Sequence, residues 1–247
     1  MKRALLALAS VALLAADRAP EPYLDAQSVP DLMRVLPPPP RPGSPAAEED
    51  RRTFLDTRKL SGTTRWALAQ RDVTDDRFAV FACALNMRID ADSAPDLARV
   101  FQRMGDGGMV GRAKDGFAVK RPYLSQQGPI CEPKTDHLAR NGDYPSGHTA
   151  NGWSTALILA ELMPDRATEI LRRGRQYGES RFICGSHSRS AVEAGYLSGA
   201  ALVSALHASK AFRDDMEDAA RELRKLRGRA PLPDSSRCGQ ERESSKG

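Results

Sequence analysis

The sequence has few aromatic residues and little alternation of polar and apolar positions, which disfavours a fold built on sheets. Aromatic residues make up 6% of the 247 residues. Stretches with the two-residue periodicity of a half-buried strand are scarce, and no internal repeat is visible. Alanine, leucine, arginine and glutamate are abundant, and all four favour helices. We therefore predict an all-α fold, a compact single-domain helical bundle.

The chain also lacks a dense run of basic residues interleaved with aromatic ones, which a dedicated nucleic-acid surface would show. The net charge is +5, but the lysines and arginines are spread along the chain and mixed with acidic residues. This balance is compatible with small anionic ligands, and we expect no nucleic-acid partner.

After the first sixteen residues the sequence has no long apolar run. A membrane span needs roughly 20 apolar residues, so we expect none. Residues 1–16, "MKRALLALASVALLAA", have a basic start, an apolar stretch and small residues at the end, as secretory signal peptides do. The cleavage site is not clean, and a buried N-terminal helix is the alternative. We predict a protein that is periplasmic or secreted.

No C-x-x-C pair occurs among the four cysteines, which disfavours a zinc ribbon or a redox dithiol. The cysteines are Cys83, Cys131, Cys184 and Cys238. An exported chain can keep disulfides, so a structural role is expected. Four cysteines allow three complete pairings, and the sequence alone does not choose among them.

Proline and polar residues divide the chain into four parts. After the signal-like segment, residues 17–47 are rich in proline and acid, with "LPPPPRPGSP" at 36–45, and predict an extended strap or linker. Residues 48–227 carry the helical patterns of the predicted domain. Residues 228–247 are polar and contain proline, and we predict a flexible tail unless Cys238 ties it down.

The stretch "PSGH" places Ser146, Gly147 and His148 at the start of a strongly apolar helix. Ser146 suits the N-cap position. Free backbone N–H groups in the first turn, together with the helix dipole, favour a bound anion. On its own, His148 is more simply interpreted as a cap or core residue.

Three cationic side chains flank that helix along the sequence. Lys114 and Arg121 precede it, and Arg181 follows it shortly before His187. Two arginines, a lysine and a helix N-terminus suit a phosphoryl group with charged oxygens. His148 and His187 could supply the nucleophile and the proton source that phosphoryl transfer needs.

The order Lys-x6-Arg-Pro, Pro-Ser-Gly-His and Ser-Arg-x5-His resembles the motif set of the type 2 phosphatidic acid phosphatase superfamily. This superfamily includes vanadium haloperoxidases and bacterial non-specific acid phosphatases. "LPPPP", "NGDYPSGHTANGWSTALILAE" and "GESRFICGSH" look most like the class A acid phosphatases of the bacterial periplasm. The resemblance covers most of the chain. It implies an all-α fold and hydrolysis of small phosphomonoesters at acidic pH without a metal or cofactor.

The resemblance also implies a role for each motif residue. His187 would be the nucleophile that forms a phosphohistidine intermediate. His148 would protonate the leaving alkoxide and later help to activate water. The residues that would hold the phosphate are Lys114, Arg121, Ser146, Gly147 and Arg181.

The family further implies a disulfide between Cys131 and Cys184, which would tie the loop before "PSGH" to the turn before His187. Cys83 and Cys238 then remain as a second possible pair. Members of the family are often oligomeric, so a homo-oligomer is compatible with the resemblance, although nothing in the sequence fixes a subunit number.

The sequence departs from the family pattern at Ala191, where the third motif has an aspartate four residues after the histidine. That carboxylate would accept a hydrogen bond from the far ring nitrogen of His187. In serine proteases, spoiling such an orienting group costs roughly 10⁴-fold in rate. Ser190 or a backbone carbonyl could accept the same hydrogen bond instead.

The departure leaves several functions open. A slow or specialised phosphatase and an inactive phosphate-binding relative are both compatible with Ala191. A vanadium haloperoxidase is disfavoured by the short chain, and a lipid phosphatase by the absence of membrane spans. Because every other catalytic position is present, we favour an active phosphatase with a substituted support for His187.

Overall fold

A computed structural model describes residues 20–244, and this part of the chain is helical and contains no strand. The prediction of an all-α fold is confirmed. None of the helices in the described range is long and apolar enough to cross a membrane. The predicted signal peptide, residues 1–16, lies outside the described residues.

The α-helices in the described range are α1 (Leu32–Val35), α2 (Pro45–Arg58), α3 (Thr64–Arg71), α4 (Arg77–Leu85), α5 (Pro95–Arg103), α6 (Met109–Phe117), α7 (Asp136–Arg140), α8 (Gly147–Leu162), α9 (Ala167–Cys184), α10 (Arg189–Leu206), α11 (Lys210–Leu226) and α12 (Ser235–Glu243).

The long helices α8, α9 and α10 pack against one another at the centre of the bundle. α8 is buried on most of its surface, as its apolar sequence predicts. Glycines let α10 approach α8 closely, because a Cβ at Gly195 would lie 2.7 Å from the carbonyl oxygen of Ser146. The Ser146 N–H also donates to the carbonyl of Ala191 at 2.9 Å. These contacts place the start of α10 beside the "PSGH" turn.

One helix near the site, α6, lies in a glycine-containing segment that has no clear helical pattern. Gly107 and Gly108 adopt positive φ angles of 53° and 77°, a conformation that costs glycine little, and the helix begins directly after them. Met109 and Val110 then bury their side chains in the core. This packing sets the orientation of Lys114, one turn further along the helix.

Both ends of the described chain pack onto the bundle. In the proline-rich N-terminal segment, Leu32 and Leu36 are buried. At the other end α12 forms and Cys238 is buried in a disulfide, which is the condition under which a flexible tail was not expected. Asp234 caps α12 by accepting hydrogen bonds from two backbone N–H groups. The cap and a disulfide at Cys238 hold this segment as far as residue 244.

All four cysteines form disulfides in the structure. Cys131 bonds to Cys184 at the end of α9, which is the pair that the resemblance implies. Cys83 in α4 bonds to Cys238 in α12. The first bridge ties the loop before "PSGH" to the turn that leads into His187, so it constrains the surroundings of that histidine.

Candidate active site

A cleft of about 680 Å³ opens beside the first turns of α8. Ser146 is not among the residues that line it: its side chain is fully buried, and its hydroxyl accepts the Thr149 N–H as the cap of α8. The contact of the Ser146 hydroxyl with phosphate stays a prediction, since this hydroxyl only accepts hydrogen bonds, from the Thr149 N–H and the Thr149 hydroxyl. The other predicted catalytic and phosphate-binding residues do line the cleft, and they are Lys114, Arg121, Gly147, His148, Arg181 and His187.

Lys114 reaches the cleft from the buried face of α6. Its Nζ donates to Asn141 Oδ1 at 2.8 Å and to the carbonyl of Gly142 at 2.7 Å. Burial, with the positive charges of Arg121 and Arg181 nearby, lowers the pKa of Lys114 to about 7. Lys114 is therefore a cation in mildly acidic solution and loses its charge more easily than an exposed lysine.

Arg121 is buried and its guanidinium is fixed by backbone carbonyls. Nε donates to the Asn141 carbonyl at 2.7 Å, and Nη1 donates to the Ser186 carbonyl at 2.8 Å. Nη1 also lies 3.1 Å from Nε2 of His187. Because a guanidinium can only donate, Nε2 of His187 is the acceptor and carries no hydrogen in this contact.

Arg181 on α9 has donors without a partner. It is 4% exposed, and its Nη2 donates to Glu132, whose carboxylate also contacts the Ser186 hydroxyl. Its Nε and Nη1 are buried and make no hydrogen bond. Buried donors without a partner are rare in folded proteins. Since Arg181 lines the cleft, an anion bound there would satisfy them.

His187 is buried between α9 and α10, with a carboxylate behind its ring. Its Nδ1 lies 2.9 Å from Oδ1 of Asp143 and 2.8 Å from the Asp143 carbonyl oxygen. The carbonyl can only accept, so Nδ1 carries the hydrogen and the lone pair is on Nε2. Burial, reinforced by Arg121, Lys114 and Arg181, lowers the pKa of His187 well below its usual value. The ring therefore stays neutral in mild acid.

Of the two acceptors predicted for this hydrogen bond, a backbone carbonyl, that of Asp143, takes it and Ser190 does not. Its hydroxyl donates to Oδ2 of Asp50 at 2.6 Å, and its N–H donates to Oδ1 of the same carboxylate at 2.9 Å. Ser190 lies in the first turn of α10, whereas the carboxylate that meets the ring comes from the loop before α8. Asp143 provides the acceptor that Ala191 lacks.

His148 lies in the first turn of α8 and is held on both ring nitrogens. Its Nε2 is 2.6 Å from the backbone carbonyl of Asp72, so Nε2 carries a hydrogen. Its Nδ1 is 3.1 Å from Oδ1 of Asp75, and the ring stacks on Tyr177 with centroids 4.4 Å apart. Burial and Arg181 lower the pKa of His148, whereas Asp75 raises it. A second proton, when present, therefore lies on Nδ1 between the ring and Asp75.

The backbone that holds His148 is itself fixed by a buried ion pair. The Asp72 carboxylate accepts hydrogen bonds from Arg173 at 2.5 and 3.1 Å and from the Ser180 hydroxyl at 2.7 Å. Ser180 and Arg173 are on α9, the helix that carries Arg181. The support of His148 and the position of Arg181 thus depend on the same helix.

Several side chains that shape the site were missed in the sequence, because they lie outside the three motifs. They are Asp72, Asp75, Glu132, Asn141 and Asp143. Asp143 had one usable signal: it is an acidic residue beside "YPSGH" in a chain that lacks the acid expected at 191. The others meet the site only through tertiary contacts.

The cleft combines three elements that phosphoryl transfer requires. Cationic side chains and the first N–H groups of α8 can bind a group with several charged oxygens. His187 offers an unprotonated ring nitrogen, and His148 offers a proton on the side of Asp75. Within residues 20–244, no group of three or more His, Cys, Asp or Glu side chains is arranged to hold a metal ion.

Comparison with known proteins agrees with this geometry. The model of the PAP2 superfamily matches residues 101–214, a range that contains all the motif residues. The chain is 45% identical to an acid phosphatase of Zymomonas mobilis, over 84% of this chain and 81% of the relative. It is 34% identical to a non-specific acid phosphatase of Providencia stuartii, over 83% and 86% of the two chains. It is also 34% identical to a non-specific acid phosphatase of Salmonella typhimurium, over 76% and 78%. The chain belongs to the PAP2 superfamily and, within it, to the class A non-specific acid phosphatases.

Proposed function

We propose that this protein is an acid phosphatase that hydrolyses phosphomonoesters through a phosphohistidine formed on His187. The observation that carries the proposal is the state of the His187 ring, which is neutral and has its Nε2 lone pair beside Arg121. The unpartnered N–H groups of Arg181, in the same cleft, support binding of a phosphoryl group. The relatives named acid phosphatase support the substrate class.

In the first step, Nε2 of His187 attacks phosphorus and the bond from phosphorus to the ester oxygen breaks. His148 gives its Nδ1 proton to the departing alkoxide and becomes neutral. Fixed positive charge serves the loose transition state of phosphoryl transfer, because charge spreads over the non-bridging oxygens. The groups that hold these oxygens are Lys114, Arg121, Arg181 and the N–H of Gly147.

In the second step, water attacks the phosphohistidine. Neutral His148 accepts a proton from that water at Nδ1, and the bond between phosphorus and Nε2 of His187 breaks. Inorganic phosphate leaves, His187 returns to its neutral state and His148 is again protonated. One phosphomonoester and one water thus give one alcohol and one phosphate, and no metal ion takes part.

The charges of the site favour activity in mild acid. The low pKa of His187 keeps the nucleophile unprotonated there, whereas His148 must be protonated to act as the acid. Lys114, with a pKa of about 7, is charged below neutral pH and loses its charge above it. Rising pH therefore removes both the proton donor and one phosphate ligand.

We also propose that the protein acts in the periplasm or after secretion. The signal-like pattern of residues 1–16 supports this location. So do the two disulfides, which persist in an oxidising compartment.

The direct test is to trap the phosphoenzyme. Purified protein is mixed with a phosphomonoester in the presence of a chelator and quenched in alkali, in which phosphohistidine survives. We expect chelator-resistant turnover and a phosphoryl group on the peptide that contains His187, detected by mass spectrometry. Turnover that stops with chelator, or that proceeds with no phosphoenzyme at any quench time, would contradict the proposal.

Asp75→Asn is expected to shift the alkaline limb of the pH–kcat profile to lower pH. The carboxylate 3.1 Å from Nδ1 stabilises protonated His148, so its removal lowers the pKa of the acid, which then loses its proton at a lower pH. The Asp75 side chain is 74% exposed and its effect is screened, so we expect a shift of about 0.5–1 unit. Asp76→Asn is the matched control, because it removes the same charge one residue further on and keeps a side chain able to cap α4. An identical profile for Asp75→Asn and the parent would rule out this role of Asp75.

A further inference from the structure

The missing acid at position 191 leaves His187 without its expected support on α10. Ala191 is fully buried, and its methyl group offers no acceptor. Ser188, which follows His187 and caps α10, nevertheless connects the start of that helix to the residue behind the ring, Asp143. The Ala191 N–H donates to the Ser188 hydroxyl at 3.2 Å, and that hydroxyl donates to Asp143 at 2.6 Å. The backbone N–H of Ala191 is thus linked to the Asp143 carboxylate through the Ser188 hydroxyl.

We propose that Asp143 is the positioning residue of His187 and takes over, from the loop before α8, the role that an aspartate at position 191 would have. This inference rests on the proposed function, in which His187 is the nucleophile. Asp143 does not touch the reacting atoms. Its backbone carbonyl, 2.8 Å from Nδ1, keeps the hydrogen on that nitrogen and leaves the lone pair on Nε2. Its carboxylate, 2.9 Å from Nδ1, fixes the ring plane and places a negative group beside the ring.

The Asp143 carboxylate is held tightly enough for this role. It is 2% exposed, and its two oxygens are divided between partners. Oδ1 accepts from Nδ1 of His187 at 2.9 Å and from the Ser188 N–H at 3.1 Å, while Oδ2 accepts from the Ser188 hydroxyl at 2.6 Å. A carboxylate bound at both oxygens has a fixed plane and fixes the ring that donates to it.

The chemistry of the intermediate supplies a second reason for a carboxylate at this point. When a phosphoryl group occupies Nε2 and a hydrogen stays on Nδ1, the imidazole ring of His187 carries a positive charge. The ring is buried close to Lys114, Arg121 and Arg181, which disfavour that charge. Burial raises the pKa of Asp143 to about 6, but a cationic ring in direct contact with the carboxyl group favours its ionised form. The negative charge of Asp143 then offsets part of the repulsion in the intermediate.

The test compares kcat, KM and inhibition by inorganic phosphate in Asp143→Asn and Asp143→Ala. We expect kcat to fall at least about 100-fold in both, toward the roughly 10⁴-fold loss seen when a triad aspartate is replaced. KM and the inhibition constant of phosphate should change less than about threefold, since the phosphate ligands remain. Asp215→Asn is the control for loss of a largely buried acid. Asp215 forms ion pairs with Arg99 and Arg103 and lies away from the cleft.

Rescue separates positioning from a merely structural role. Asp143→Ala combined with Ala191→Asp should recover at least about tenfold of the lost kcat, because it restores a carboxylate at the position that the family motif gives it. Ala191→Asp alone should give no gain, since two buried carboxylates would then repel each other. A folded double variant that binds phosphate but is no more active than Asp143→Ala would overturn the equivalence of the two positions.

A pair of cap variants covers the case in which the Asp143 variants do not fold. Ser188 caps α10 and Ser209 caps α11, so Ser188→Ala and Ser209→Ala each remove a helix cap. Only Ser188 also holds Asp143, so we expect about a tenfold loss of kcat in Ser188→Ala and none in Ser209→Ala. Equal activities for the two would count against the proposal.

The same assay distinguishes failure of the proposed function from failure of the proposed role of Asp143. Activity retained in His187→Ala would sink the proposed function itself. An inactive His187→Ala beside an Asp143→Asn within about threefold of the parent would leave the function standing and overturn only the role of Asp143.

Discussion

His187→Ala is expected to lower kcat for p-nitrophenyl phosphate by about 10⁴-fold or more, and to abolish the trapped phosphoenzyme. The substitution removes the group that forms the bond to phosphorus, and the methyl group left in its place cannot act as a nucleophile. Steady-state kinetics and alkaline quench on the same preparation provide the measurement. His187→Gln, which keeps more of the side-chain volume over the buried Asp143, should lose as much activity.

His207→Ala is the matched control for loss of a histidine. His207 follows α10, is partly exposed and contacts Glu161, and it does not line the cleft. We expect parental kinetics from this variant. A His187→Ala protein that is folded, binds phosphate and keeps a kcat within tenfold of the parent would mean that another group attacks phosphorus.

His148→Ala is expected to have an effect that depends on the leaving group. An alkyl phosphate needs a proton on its departing oxygen, so kcat should fall about 10²–10⁴-fold. A nitrophenolate departs without a proton, so the first step should survive. The second step still lacks the base that activates water, and phosphohistidine should accumulate.

Rapid-quench kinetics would show this as a burst of nitrophenolate close to one equivalent of enzyme, followed by slow turnover. The parent should show a smaller burst or none, because His148 serves both steps. Equal losses with both substrates and no burst would indicate that His148 supports the fold or the binding of phosphate rather than proton transfer.

The helices that hold the site could largely be predicted from local pattern. α8 has a serine cap, a continuous apolar sequence and a proline just beyond its end, and it begins and ends where these residues indicate. α6 could not be predicted, because its glycines weaken the helical pattern and burial of Met109 and Val110 in the core contributes to its stability. α12 was missed because its stability depends on a disulfide with a residue 155 positions away.

The residues of the candidate site show the same division. The order and spacing of the three motifs were enough to identify the cations and both histidines. The motif comparison also showed that Ala191 stands where the family motif has an aspartate. It could not identify Asp143, which meets His187 from 44 residues away. The Ser190 prediction failed for the same reason, since its nearest carboxylate, Asp50, comes from α2.

By itself, the sequence determined the helical class of this protein, the serine-capped start of α8 and the set of side chains proposed for phosphoryl transfer. These properties follow from side-chain type and from interactions within one or two helical turns. Tertiary structure alone decided which carboxylate contacts His187 and which ring nitrogen of each histidine donates to a backbone carbonyl. Those choices depend on side chains far apart in the chain, which meet only because glycines let α8 and α10 pack closely and Cys131–Cys184 fixes the turn before His187.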